Sequence, residues 1–223
     1  MIRIAELRHR LLDIPDLALD ARHIAVIGPN GSGKTTLLAV SAGIEEPDAG
    51  TVRLLCRPPS AVKVGWVGEF PDQTLLFSRV YDEIASTPRF RHRPCSETDG
   101  MVRAAAEVVD ILHLLDRKVS SLSGGEKALV ALAAACVDNP EVLVLDEADS
   151  HLDAGTAERV SRVVQESKAA HILWCTQSMD TAATADYVLF MTNGRVRYHG
   201  TPEKVFYALK ETCFYPTMWR VCR

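Results

Sequence analysis

The sequence predicts a mixed α/β fold: buried strands alternating with helices, a small antiparallel β layer, and an inserted α-helical subdomain. Three observations carry this. Residues 23–27, His-Ile-Ala-Val-Ile, read as a buried strand that passes through a glycine-rich loop into a helix at 34–42. Toward the C-terminus, apolar runs at 142–145 and 170–175 flank a helical stretch at 154–167. Between the two halves, residues 72–120 change character, and polar and basic loops give way to a helix over 98–115.

The remaining elements follow in order. Residues 2–7 and 14–19 are strand-like and pair as the antiparallel layer; 51–56, after the turn signal Pro47-Asp48-Ala49-Gly50, joins it. Residues 62–67 read as another buried strand. Within 98–115, Met101, Ala105, Val108, Val109, Leu112 and Leu115 recur at helical spacing. Asn193-Gly194, between strands at 186–191 and 195–198, is a strong hairpin signal. Thr201-Pro202-Glu203 sets a cap and a first-turn proline before a closing helix. The expected organisation is one domain over 1–223, with a core from 1–67 and 141–223 and the helical subdomain at 68–140.

With 223 residues, 47% apolar and 24% charged, the chain can bury a sizeable core. A net charge of −4 argues against binding nucleic acid through bulk charge. No apolar run approaches the ~20 residues of a membrane helix, and no secretory leader is expected. The six cysteines (Cys56, Cys95, Cys136, Cys175, Cys213, Cys222) form no C-x-x-C pair and read as reduced, cytosolic thiols. His92 and Cys95 are only two candidate ligands and do not make a metal site.

The chemistry begins at residues 28–36, Gly-Pro-Asn-Gly-Ser-Gly-Lys-Thr-Thr, which fit G-x-x-x-x-G-K-[ST] at every fixed position. Glycines let the backbone N–H groups along Asn30, Gly31, Ser32 and Gly33 curl around phosphate without Cβ clashes. Lys34 then reaches the β- and γ-phosphates, the Thr35 hydroxyl ligates Mg2+, and the helix carrying Thr36 points its N-terminus at the anion. ATP is the expected nucleotide, on a P-loop NTPase (RecA-like) core.

Two further motifs belong with it. Leu122-Ser123-Gly124-Gly125-Glu126 opens a helix. Its N–H groups, serine hydroxyl and dipole make a second anion site. The alternative is an ordinary capping box of Ser123 and Glu126. Taken alone the residues leave both open; beside a phosphate loop the anion site is the reading we adopt. Residues 142–147, Val-Leu-Val-Leu-Asp-Glu, are an apolar strand ending in two acids. Asp146 suits Mg2+, and Glu147 suits a water attacking the γ-phosphate. Residues 146–149 also spell Asp-Glu-Ala-Asp, an RNA-helicase signature. That reading needs a second nucleotide-handling domain, and Leu-Ser-Gly-Gly-Glu is foreign to it.

The phosphate loop, Leu-Ser-Gly-Gly-Glu, the Asp-Glu strand end and Ser150-His151-Leu152-Asp153 occur in one order. In that combination the chain resembles the nucleotide-binding subunit of an ATP-binding cassette (ABC) transporter over nearly its whole length. Phe70-Pro71-Asp72-Gln73 through Phe77, Val80-Tyr81-Asp82-Glu83-Ile84 and the 200–206 run look most like the energy-coupling-factor importers of cobalt, nickel and vitamins. The resemblance implies a second ABC ATPase subunit, as homodimer or heterodimer, with each ATP between one chain's phosphate loop and the other's Ser-Gly-Gly. It further implies Asp153 in a loop crossing that interface, an integral membrane transporter subunit, no nucleic acid, and a peripheral position on the cytoplasmic face of the cell membrane.

Three positions depart from the family pattern. Glu69 stands where a glutamine senses γ-phosphate and Mg2+; a carboxylate still ligates magnesium. Gln177 stands where a histidine follows the threonine, so a charge-assisted contact to the γ-phosphate becomes a neutral one, roughly half as strong. His151 does not have the spacing to replace it. The first strand region lacks the aromatic that stacks on adenine, leaving His9 or Arg10 for the base and both ATP and GTP open. Against transport-coupled hydrolysis stands a second reading: a weakly hydrolysing regulatory subunit of a heterodimeric complex.

Overall fold

The computed structural model describes residues 1–150 and 152–221. Its elements are β1 (Ile2–His9), β2 (Leu12–Leu19), β3 (His23–Ile27), α1 (Lys34–Ala42), β4 (Ala49–Leu54), β5 (Val64–Val67), α2 (Pro71–Thr74), α3 (Val80–Phe90) and α4 (Cys95–Val108). These are followed by α5 (Gly124–Cys136), β6 (Val142–Asp146), α6 (Ala154–Glu166), β7 (His171–Cys175), α7 (Met179–Ala182), β8 (Tyr187–Thr192), β9 (Arg195–Gly200), α8 (Pro202–Leu209) and α9 (Thr217–Val221). The chain divides into two compact units. One comprises 1–63, 144–147 and the chain from Ala170 onward; the other comprises 64–143 and 148–169.

The first unit holds two sheets. β1, β2 and β4 form the expected antiparallel layer in the order β2-β1-β4, with Ile2 opposite Leu19 and Leu54. Ile2 and Ile4 alternate inward, but the next buried residue is Leu7. The one-residue slip is a bulge on β1, where Glu6 takes a left-handed φ of 50°. The second sheet runs β6-β7-β3-β8-β9 within this unit. β3 is parallel to both β7 and β8, and all five of its residues are buried. A strand covered on both faces reads as a continuous apolar run, which is how it announced itself. Asn193 and Gly194 both take positive φ, so β8 and β9 close as a primed-turn hairpin. Proline opens α8, but the Thr201 side chain makes no capping bond to it.

A core cluster of Ile27, Val188, Phe190, Val205, Phe206 and Leu209 lies under α8. The C-terminal aromatics pack on it, Phe214 edge-on to Phe190 at 5.3 Å and Trp219 edge-on to Phe206 at 5.5 Å.

The second unit is mainly helical. The expected helix over 98–115 is corrected: α4 starts three residues earlier, at Cys95, and ends at Val108. Asp110 takes φ 57°, a conformation its short polar side chain tolerates, and the chain turns there. Arg159 Nη2 donates to the Val109 and Asp110 carbonyls at 2.9 Å each, satisfying groups the helix would otherwise leave open. A 3₁₀ turn at Leu112–Leu114 follows. The basic loop around Arg89–Arg93 is matched by acids: Arg89 with Asp82, Arg91 with Asp138, and Arg93 with Glu97.

Candidate functional site

Two glycines shape the phosphate loop. Gly28 follows β3 at φ 146°, and a Cβ there would lie 2.2 Å from the Met191 carbonyl oxygen. Gly33 takes φ 99° at the start of α1, where a Cβ would meet Leu12 at 2.9 Å. No side chain caps α1, so its first-turn N–H groups open toward the loop. Ser32 Oγ is buried without a hydrogen-bond partner, which suits an oxyanion ligand. Lys34, 5% exposed, folds back to donate to the carbonyls of Gly28 at 3.0 Å and Pro29 at 3.3 Å, where phosphate oxygens would compete for it. Asn30, Gly31 and Thr35 are exposed and Thr36 is half-buried.

Thr35 Oγ1 donates to Asp146 Oδ1 at 3.2 Å. β6 therefore brings its terminal acid to the first turn of α1. Burial, above all, pushes the Asp146 carboxyl above its ordinary value, and the neighbouring Glu147 charge adds to this. A hard divalent cation between these two oxygens would offset that cost, so the donor set fits Mg2+. Glu147, one residue on, sits at φ 51°, its N–H donating to the Cys175 carbonyl at 2.9 Å. Its Oε2 accepts from Gln177 Nε2 at 2.5 Å, and its Oε1 lies 3.7 Å from Lys34 Nζ. Burial raises the Cys175 thiol well above its ordinary range, so it stays protonated and donates to Glu147 Oε1 at 3.9 Å. Gln177 also borders a cavity of about 300 Å³ with Gly28, Pro29 and Asn30. Lys34, Thr35, Asp146, Glu147 and Gln177 thus converge.

His9 is nearly buried, whereas Arg10 stays exposed and is paired only at the edge of its guanidinium. Glu45 takes His9 Nε2 at 2.8 Å and Arg10 Nη2 at 3.1 Å, and Asp48 accepts the Arg10 N–H at 3.1 Å. Beside Leu12 at this point lies Leu11, 45% exposed, with Cδ1 3.3 Å from where a Gly33 Cβ would lie. Gly194 fixes the arrangement: its N–H donates to the Ser32 carbonyl at 2.9 Å, and its carbonyl accepts the Asp13 N–H at 3.0 Å. The sequence reading gives Leu11 no role and Cys175 only that of a reduced thiol; the nearness of Cys175 to Gln177 in the chain was the one signal that it belongs to the site.

In the second unit, Ser123 and Glu126 form a complete capping box on α5: Ser123 Oγ accepts the Glu126 N–H at 3.3 Å, and Glu126 Oε2 accepts the Ser123 N–H at 2.7 Å. The Ser123 backbone bond holds the Glu126 carboxyl below its ordinary value. Gly124 and Gly125 form the first turn of α5. The capping reading is therefore present in the geometry, and the hydroxyl hydrogen of Ser123 remains to donate elsewhere. Asp153 caps α6 through the Thr156 N–H at 3.0 Å and its hydroxyl at 2.7 Å. Glu69 follows β5 in this unit. His151 lies outside the described residues.

The ABC transporter family profile matches residues 18–150. The chain is 34% identical over 206 residues to the energy-coupling factor transporter ATP-binding protein EcfA1 of Lactiplantibacillus plantarum, covering 88% of this chain and 73% of that protein. It is 36% identical over 205 residues to the molybdate/tungstate import ATP-binding protein WtpC of Pyrococcus abyssi, covering 86% and 59%. The structure of CbiO1 from Clostridium perfringens, part of the ABC transporter complex CbiONQ, superposes with a TM-score of 0.80 at 26% identity over 95% of each chain. A dimeric ATP-binding cassette bound to ADP and phosphate shares the fold, with a TM-score of 0.82 at 18% identity over 91% of this chain and 99% of that one.

Proposed function

Since the chain belongs to the family of ABC transporter ATP-binding subunits, ATPases coupled to transport, we propose that it powers solute import through an energy-coupling-factor-type membrane partner. The solute class is a cation or a vitamin. The observation that carries the catalytic part is Glu147: a buried carboxylate in left-handed backbone, held by Gln177 beside the phosphate loop.

Asn30 to Thr36 bind the triphosphate, and Lys34 exchanges the Gly28 and Pro29 carbonyls for phosphate oxygens. Thr35 and Asp146 would hold Mg2+, which would supply positive charge beside the triphosphate. Glu147 accepts the proton of the attacking water as its oxygen bonds to the γ-phosphorus and ADP departs. Gln177 has two amide hydrogens; one is on Glu147 and the other is available to the γ-phosphate. Ser123, Gly124, Gly125 and Glu126 complete the ATP site of a second ATPase subunit.

Support for the membrane partner comes from the loop before α3. The buried Glu83 carboxylate accepts the Leu76 and Phe77 N–H groups at 2.8 and 2.7 Å, and so presents Leu76, 81% exposed, as an apolar knob. No described helix is long and apolar enough to cross a membrane, in keeping with a peripheral subunit on the cytoplasmic face. One observation favours the second reading, a slow regulatory subunit of a heterodimer: Gln177, where the resemblance expects histidine, can offer the γ-phosphate only a neutral contact.

The test is gentle detergent co-purification from native membranes, with partners identified by mass spectrometry. We expect an integral membrane protein and an ATPase subunit. Finding a second, different ATPase selects the heterodimer; recovery of soluble partners only overturns the importer reading.

A further inference from the structure

Cys175 is fully buried at the end of β7. Its backbone carbonyl accepts the Glu147 N–H at 2.9 Å, and its thiol lies within donating reach of Glu147 Oε1, at 3.9 Å, and of the Asp146 carboxylate. Gln177, two residues on, takes the other oxygen, Oε2, at 2.5 Å. Each oxygen of one carboxylate therefore meets its own donor, one at the end of β7 and one in the bend that follows it. The rest of β7 is packed apolar surface through Ile172, Leu173 and Trp174. A methyl-bearing residue at position 175 would offer the carboxylate nothing.

We infer that Cys175 is a positioning residue for Glu147, an inference that rests on Glu147 being the base. Gln177 holds Oε2 with one amide hydrogen and has the other for the γ-phosphate. Cys175 keeps the second oxygen aligned through Oε1 and through the backbone bond that fixes the left-handed Glu147. The thiol is a weak donor, so it orients the carboxylate without competing strongly for the electron pair that takes the proton.

Steady-state ATP hydrolysis by the purified full chain tests this with Cys175→Ala, Cys175→Val, Cys175→Ser and Glu147→Gln. The expectation is kcat about fivefold lower for Cys175→Ala, the size of one lost modest hydrogen bond. KM for ATP should stay within about twofold, because the phosphate loop is untouched. Cys175→Val also lacks the donor and overfills the site, so it should fall at least as far, whereas Cys175→Ser, near-isosteric with alanine, restores a donor and should return kcat to within about twofold of the parent. Should Cys175→Ala melt early, Cys175→Val and Cys175→Ser decide alone. Parental turnover in Cys175→Val, or no difference between Ser and Val, overturns the inference. Parental turnover in Glu147→Gln overturns the reading of Glu147 as base, and this inference with it; an inert Glu147→Gln beside a fully active Cys175→Val overturns this inference only.

Discussion

Gln177→Leu removes the 2.5 Å bond to Glu147 while roughly conserving volume. A hydrogen bond to a charged group contributes ~1.5–3 kcal/mol. Glu147 is 7% exposed, so water can take over little of that loss. Lys34, 3.7 Å from Oε1, still pairs with the carboxylate, and nucleotide binding should therefore survive. At ~1.4 kcal/mol per tenfold, kcat should fall about tenfold or more, with KM for ATP nearly unchanged. Gln177→His runs the other way. A charge-assisted contact to the γ-phosphate is about twice as strong as a neutral one, a gain of ~1 kcal/mol and about fivefold in kcat. The assay is enzyme-coupled phosphate release at saturating Mg-ATP, with affinity measured separately by a fluorescent nucleotide. Wild-type turnover in Gln177→Leu would refute the holding role of the amide. No rise in Gln177→His would refute the argument that glutamine slows this site.

Three further outcomes are expected. Leu11→Tyr adds a stacking surface next to Gly33 and should tighten ATP binding by about five- to tenfold, an aromatic–base contact being ~1–3 kcal/mol; the parent should bind ATP and GTP within about threefold of each other, and titration calorimetry with both nucleotides checks this. Ser123→Ala breaks the capping box on α5 and should lower stability by ~1 kcal/mol in urea unfolding; an unshifted midpoint would deny the cap a role. Burial holds His23 and His171 below their ordinary pKa of 6.5, so the unfolded chain takes up protons that the folded chain resists. That part of the stability is complete above about pH 6.5 and is lost as pH falls through 6.5 toward the folded values; melting temperatures from pH 8 to 5.5 should decline, and His23→Phe should flatten part of the decline.

Where the sequence was legible, the signal was local. The phosphate loop, the buried runs of β3 and β6, the Asn193-Gly194 turn and the start of α1 each depend on residues close in the chain, and each stands where the pattern put it. Helix α4 was read too long because Leu112 and Leu115 continue a helical period, whereas its end depends on Arg159, 49 residues beyond Asp110. His9 has no partner near it in the chain; Glu45, brought across by the β1–β4 pairing, takes it and leaves Arg10 as the exposed member of the pair.

The sequence by itself determined the fold class and the order of the motifs, because propensity, periodicity and loop chemistry act over a few residues. Only the tertiary structure decided that Gln177 and Cys175 each meet one oxygen of Glu147, and that Gly194 bonds both Ser32 and Asp13. Those relations join residues distant in the chain, and strand order and register set them rather than any local preference.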